Sequence, residues 1–151
     1  MSESNQIAVH IRESRPEDCE EVVALLQQLW PDRELNQTAL KEAFLRSFKL
    51  EGHIIRVAVQ GNRLVGLCSI SIRNNLKAEG NLANIDELVV DESMRSQRIG
   101  KQLLDDAEEI VKMHGCQVLG LESSFHRVDA HRFYEENGYW KQGYYILRDL
   151  D

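Results

Sequence analysis

The chain is short of cysteine, of long apolar runs and of positive charge, and each shortage removes a class of protein. Its three cysteines, Cys19, Cys68 and Cys116, are odd in number and fall in no paired or metal-type spacing. Reduced, mostly buried thiols in a cytoplasmic protein are therefore expected, not a disulfide framework. No apolar stretch approaches the roughly 18 residues that a membrane span needs, so no membrane partner is expected. The first six residues, Met1 to Gln6, lack the basic region and apolar stretch of a secretory signal. A formal net charge of −7 argues against a broad phosphate-binding face, and hence against a nucleic-acid partner. That acidity suits a cationic small-molecule substrate. The histidines His10, His53, His114, His126 and His131 show no metal-ligand spacing, so no metal is expected.

What remains is an ordinary globular composition, 42% apolar and 28% charged over 151 residues. That length fits a single domain over 1–151. Val9 to Arg12 alternates like a short strand, and Ser14-Arg15-Pro16-Glu17 reads as a helix start with Ser14 as cap. Val22, Leu25, Leu26 and Leu29 mark one face of that helix, which Trp30-Pro31 ends. A second helix is predicted from about Thr38 to Leu50. Ile54 to Val59 and Leu64 to Ile72 read as strands joined by a hairpin, with a polar loop from Arg73 to Gly80. A strand over Asn84 to Val90 follows. The longest helix is predicted from near Gln97 to about His114, striped by Ile99, Leu103, Leu104, Ala107, Ile110 and Val111 and stopped by Gly115. Gln117 to Leu121 reads as a strand, Val128 to Glu136 as a short helix, and Tyr139 to Leu147 as a closing β segment. Strands outnumber helices and include a hairpin, so a mixed sheet of α/β (α+β) type fits better than an all-parallel one.

The segment from Leu88 to Lys101 is the most informative. A strand of buried type runs through a short loop, Arg95-Ser96-Gln97-Arg98-Ile99-Gly100, straight into a helix. The first turn of a helix carries unpaired N–H groups and partial positive charge, and Arg95, Arg98 and Lys101 add cations. This resembles the diphosphate loop of the GNAT superfamily of acyl-CoA N-acyltransferases, usually Arg/Gln-x-x-Gly-x-Gly/Ala. Arg95, Ile99 and Gly100 match, while Arg98 stands where the first glycine is usual. An Arg fits there if the residue lies in the opening helical turn at negative φ, and fits badly if φ is positive. Downstream, Ala130-His131-Arg132-Phe133-Tyr134, followed by Gly138-Tyr139, is similar to the family's Ala-x-x-Phe/Leu-Tyr-x-x-x-Gly-Phe/Tyr signature. The likeness runs from about Leu64 to Tyr145. It implies a GNAT fold, a mixed sheet of about six to seven strands flanked by about four helices.

The resemblance also implies acetyl-CoA as cosubstrate, an amine acceptor and, commonly in the family, a homodimer. Loop residues Arg95, Ser96, Gln97, Arg98, Ile99, Gly100 and Lys101 would hold the diphosphate, with Ala130 and Phe133 against the cofactor. The main chain of Leu88, Val89 and Val90 would bond the pantetheine arm, and the Val89 N–H would stabilise the oxyanion. An alkyl ammonium with a pKa near 10 must lose a proton before attacking a thioester. Asp86 and Glu87 are the candidate bases, Glu87 preferred. Regular alternation sends the two to opposite faces unless a bulge intervenes. Where relatives carry a base, this chain has Asn84, so an ordered water would serve there. Tyr134 would protonate the departing thiolate, a transfer uphill by about 2 kcal/mol from a phenol near pKa 10 to a thiolate near 8.5. Trp30 and His126 are weaker candidates, read as core and as surface loop. Leu29-Trp30-Pro31 and Ser71-Ile72-Arg73-Asn74 resemble the aminoglycoside 6'-N-acetyltransferase branch, which suggests an aminoglycoside or polyamine acceptor. A protein or peptide amine acetyltransferase, and a non-catalytic CoA-binding sensor, are the alternatives.

Overall fold

A computed structural model describes residues 7–124 and 127–150. His126 and Met1 to Gln6 lie outside the described residues. The chain divides into two compact units, one ending at Gly120 and the other beginning at Leu121.

In the first unit a strand, β1 (Val9–Glu13), leads through a short 3-10 turn into α1 (Cys19–Leu29). Ser14 does not cap this helix. Its N–H donates to Ile55 O at 2.9 Å, and the helical turn opens after Arg15. Asp18 reaches back instead, accepting from Arg15 N–H at 2.7 Å and from both terminal nitrogens of Arg12 at 2.8 and 2.9 Å. Helix α2 (Gln37–Ser47) is capped by Asn36, whose side chain accepts from Ala39 N–H at 3.0 Å. It ends short of Leu50, in turns formed by Phe48 to Leu50.

Strands β2 (His53–Gln60) and β3 (Arg63–Asn75) form the expected hairpin, and β4 (Gly80–Val90) pairs antiparallel with β3 along its length. Arg73 to Asn75 and Gly80 to Ala83 are therefore strand, not loop. Polarity misleads here because this end of the ribbon is largely exposed, and ladder hydrogen bonds need no buried face. The turn proper is residues 76–79, where Asn75 accepts from Ala78 N–H at 2.9 Å.

Helix α3 (Ile99–Met113) buries Ile99, Leu103, Leu104, Ala107 and Val111. It lies close against β3 at Gly66, where a Cβ would stand 2.9 Å from Leu103 Cδ1. Arg56 on β2 pins the helix through a two-pronged pair with Asp106 at 2.8 and 2.9 Å. The opposite face of the sheet carries Val57, Val59, Leu64, Leu67 and Val89, packed with Val22, Leu25, Leu26 and Phe44 of α1 and α2. β5 (Leu119–Leu121) completes the sheet beside β4, in the order β1-β2-β3-β4-β5.

The second unit contains α4 (Val128–Glu136), with the bounds the sequence predicts. The expected closing β segment does not form: residues 139–147 adopt no strand. A strand exists only through a paired neighbour, and side-chain alternation says nothing about whether one is available. The described residues thus give one open sheet of five strands with four α-helices, fewer strands than the six to seven expected.

Candidate active site

The two carboxylates on β4 stand where the ladder is irregular. Ser69 pairs with Glu87, but the next residue, Ile70, pairs with Ile85, so Asp86 is an extra residue in β4. This is a β-bulge, and it overturns the opposite-face expectation. Ser69 and Ser71 lie two apart on β3 and share a face. The Ser69 hydroxyl bonds the Glu87 carboxylate, and the Ser71 hydroxyl donates to Asp86 at 3.1 Å. Both acids therefore address one face, the side covered further along by α1 and α2.

Their environments differ. Ser69 is buried; besides bonding the Glu87 carboxylate, its oxygen accepts from the Glu87 N–H at 2.9 Å. Burial pushes the Glu87 carboxyl above its ordinary value; the Ser69 bond opposes this and the Asp86 charge adds to it. Asp86 is exposed and accepts a second bond from Asn84 Nδ2 at 2.9 Å. Asn84 thus orients the Asp86 carboxylate. Behind the pair, burial drives the Cys68 thiol up to about 12, which leaves it an inert apolar filler.

The loop after β4 is built by local bonds. Asp91 N–H donates to Val65 O at 2.8 Å, and the Asp91 side chain accepts from Ser93 N–H at 2.9 Å and from Arg63 at 2.6 Å. Met94 is buried and anchors the short 3-10 turn of Glu92 to Met94. Ser96 and Arg98 then adopt left-handed conformations, at φ 71 and 61. Helix α3 begins after Arg98, whose side chain makes no capping bond, and the first helical hydrogen bond runs from Gln102 N–H to Arg98 O at 3.0 Å. The N–H groups of Ile99, Gly100 and Lys101 thus have no partner inside the helix. Arg98 is not in the opening helical turn. It occupies, with a long side chain, the conformation for which the usual glycine is suited, at a cost of about 1–2 kcal/mol. Lys101 spends its charge in an exposed pair with Asp105 at 3.0 Å, whereas Arg95 and Arg98 make no ion pair among the described residues. Ordered donors at a helix start, a small residue at Gly100 and two flanking guanidiniums fit a diphosphate.

In the second unit, the Tyr134 ring meets Phe133 edge-on at 5.3 Å and Tyr139 at 5.9 Å. Its carbonyl accepts from Tyr139 N–H at 3.0 Å across Gly138, which has φ 92. Asn137 ties the helix end by donating to Phe133 O at 2.8 Å. Ala130 and Phe133 are both half-buried in this helix. Trp30, in the first unit, packs against the core with Arg33 over its ring at 5.6 Å.

The serines escape a search for chemistry-bearing residues, although their signal is present. In Leu67-Cys68-Ser69-Ile70-Ser71-Ile72-Arg73 the polar residues recur every second position, which puts Ser69, Ser71 and Arg73 on one face.

The open sheet with its bulge, and the helix that opens directly after β4, are those of an acyltransferase of the GNAT class. The chain belongs to that family: the model for the "Acetyltransferase (GNAT) family" matches residues 19–139, which takes in α1 as well as the motifs. It is similar to an aminoalkylphosphonate N-acetyltransferase of Salmonella typhimurium, at 34% identity over 89% of this chain and 86% of the relative. Among solved structures, one described as a transcriptional regulator from Bacillus halodurans matches with a TM-score of 0.86 and 27% identity, over 95% of this chain and all (100%) of its own. An aminoglycoside N-acetyltransferase solved in complex with CoA matches with a TM-score of 0.84 over 95% of each chain. At 17% identity that likeness is one of fold.

Proposed function

We propose that this acetyltransferase moves the acetyl group of acetyl-CoA to a small primary amine by direct attack, with Glu87 as base. The observation that carries this reading is the Glu87 carboxyl itself. It is held by Ser69 and raised by burial, and the bulge turns Asp86 to the same face. A carboxylate of raised pKa is a competent proton acceptor near neutral pH. Glu87, directly or through water, takes a proton from the acceptor ammonium. The amine nitrogen then bonds the acetyl carbon, the carbon–sulfur bond breaks as Tyr134 supplies a proton to the departing sulfur, and the second proton shed by the nitrogen passes through water to restore the Tyr134 phenol. The N–H groups at Ile99 to Lys101, with Arg95 and Arg98, would hold the diphosphate; the main chain of Leu88 to Val90 would hold the pantetheine arm. The Val89 N–H would donate to the acetyl oxygen.

The chain's acidity and the paired carboxylates support a cationic acceptor, such as an aminoglycoside or polyamine. A second reading is favoured by the 34%-identical relative: the acceptor is an aminoalkylphosphonate, an amine that carries its own anion. Free-thiol release from acetyl-CoA, measured across aminoglycosides, polyamines, aminoalkylphosphonates and basic peptides, separates these readings. Tyr134→Phe should lower turnover with the true acceptor by about 10²-fold or more if the phenol donates its proton. CoA binding without turnover of any amine would instead mark a CoA sensor.

A further inference from the structure

The face that carries the two carboxylates also carries two basic side chains. Arg73 lies one same-face step beyond Ser71 on β3, and His53 lies directly opposite Ser71 on β2. Both are exposed, and neither makes a hydrogen bond or ion pair among the described residues. Asp86 lies on this face with its Oδ1 held by Ser71 and Asn84. Glu51, two residues before His53, follows the β2–β3 register to the position across from Arg73, and makes no ion pair with it among the described residues. The face thus sets the two carboxylates of β4 apart from an arginine at the outer end of β3 and an imidazole on β2, with the Glu51 carboxylate beside that end.

The spacing sets what can bridge the two ends. Adjacent strands lie about 4.8 Å apart, so the β2 and β4 positions flanking Ser71 are about 10 Å apart at the backbone. Arg73 stands about 6.6 Å beyond Ser71. The reach of an arginine from one side and of carboxylates from the other narrows that gap to the span of a short molecule. An amine at one end meets Asp86 and Glu87, and an anion at the other meets the guanidinium.

We propose that Arg73, assisted by His53, is the specificity-determining site for an anionic group on the acceptor, and that this group is a tetrahedral phosphonate. The guanidinium fork offers paired donors that match oxygens on a tetrahedral oxyanion, and the imidazole adds a further donor. This rests on the aminoalkylphosphonate reading above and gives that reading its residues.

The test compares acceptors that share the amine and differ in the other end: 2-aminoethylphosphonate, β-alanine, taurine and propylamine. Thiol release gives KM and kcat for the wild type, Arg73→Lys, Arg73→Met and His53→Gln, and calorimetry on CoA-loaded protein gives 2-aminoethylphosphonate binding without turnover. Arg73→Met should raise KM for 2-aminoethylphosphonate by about ten- to a hundredfold, leave KM for propylamine unchanged, and change kcat less than KM. Arg73→Lys should restore part of the loss, and His53→Gln should give a smaller one. In the wild type, β-alanine and taurine should fall between the phosphonate and propylamine. An equal rise in KM for all four acceptors, or none for any, overturns the proposal. So does a wild type that acetylates polyamines but neither binds nor acetylates 2-aminoethylphosphonate, an outcome that leaves the Glu87 reading intact. Arg73-dependent phosphonate binding without transfer to any amine upholds the anion site and sinks the transferase reading.

Discussion

Replacing Arg98 with glycine should stabilise the protein, although it removes a side chain and a charge. Arg98 has φ 61 and ψ 21, and its side chain makes no hydrogen bond or ion pair among the described residues that would offset the strain. The left-handed conformation costs a residue with a Cβ about 1–2 kcal/mol. Glycine escapes that cost but loses about 0.5–1 kcal/mol more backbone entropy on folding. The balance runs from about zero to a gain of about 1.5 kcal/mol, up to roughly 6 °C in Tm for a chain of this length. Arg98→Ala is the control, because it removes the guanidinium and keeps the Cβ. Thermal and denaturant unfolding of the CoA-free proteins should therefore rank Gly above wild type, with Ala within a few tenths of a kcal/mol of wild type. CoA binding should weaken in both variants if the guanidinium touches the diphosphate, because both lose a charge-assisted bond. A glycine variant no more stable than the alanine one would refute the strain argument. Equal CoA affinity in all three proteins would remove Arg98 from the diphosphate site.

Other consequences follow from the bonds around the acids. Ser69→Ala removes the hydrogen bond that holds the Glu87 carboxyl down, so the acidic limb of the pH–rate profile should move to higher pH, with the rate at the plateau within about tenfold of wild type. The Glu87 carboxyl is raised from 4.5, so the folded state binds its proton more tightly than the unfolded chain does, and stability declines as pH rises through that window. Glu87→Gln should accordingly unfold at or above the wild-type temperature at pH 8 and lose that advantage near pH 4. Asp18 behaves with the opposite sign. Its hydrogen bonds from Arg12 hold its carboxyl below the ordinary value, so its contribution is complete above the unfolded pKa of about 3.9 and fades as pH falls through the lower folded one. Asp18→Asn should cost about 1–2 kcal/mol at pH 7, with the two proteins converging in strong acid.

Much of the fold was legible because its signals are local. The stripe of α3, the bounds of α4 and the hairpin around Gly61 each follow from periodicity or turn chemistry within a few residues. The errors share a different origin. Whether Arg73 to Asn75 are loop or strand, and whether residues 139–147 are strand at all, depends on a partner far away in sequence. The bulge at Asp86 is a property of the register between β3 and β4, which the β4 sequence does not contain. Candidate bases could thus be chosen by residue type, while the face they share could not. The left-handed Arg98 is a related case. The motif marks the position as one for glycine, but only the backbone shows that the demand persists when the glycine is gone.

The central claim is that Glu87 accepts the acceptor's proton, and the pH dependence of kcat/KM in the wild type and Glu87→Gln tests it most directly. With saturating acetyl-CoA, the wild type should lose activity on the acid side through an ionisation above the ordinary carboxyl range. Glu87→Gln should fall by about 10²–10⁴-fold, lack that limb, and gain rate with pH only as the free amine becomes available. A glutamine variant with near wild-type activity and an unchanged profile would contradict the account and pass the role of base to Asp86 or to water.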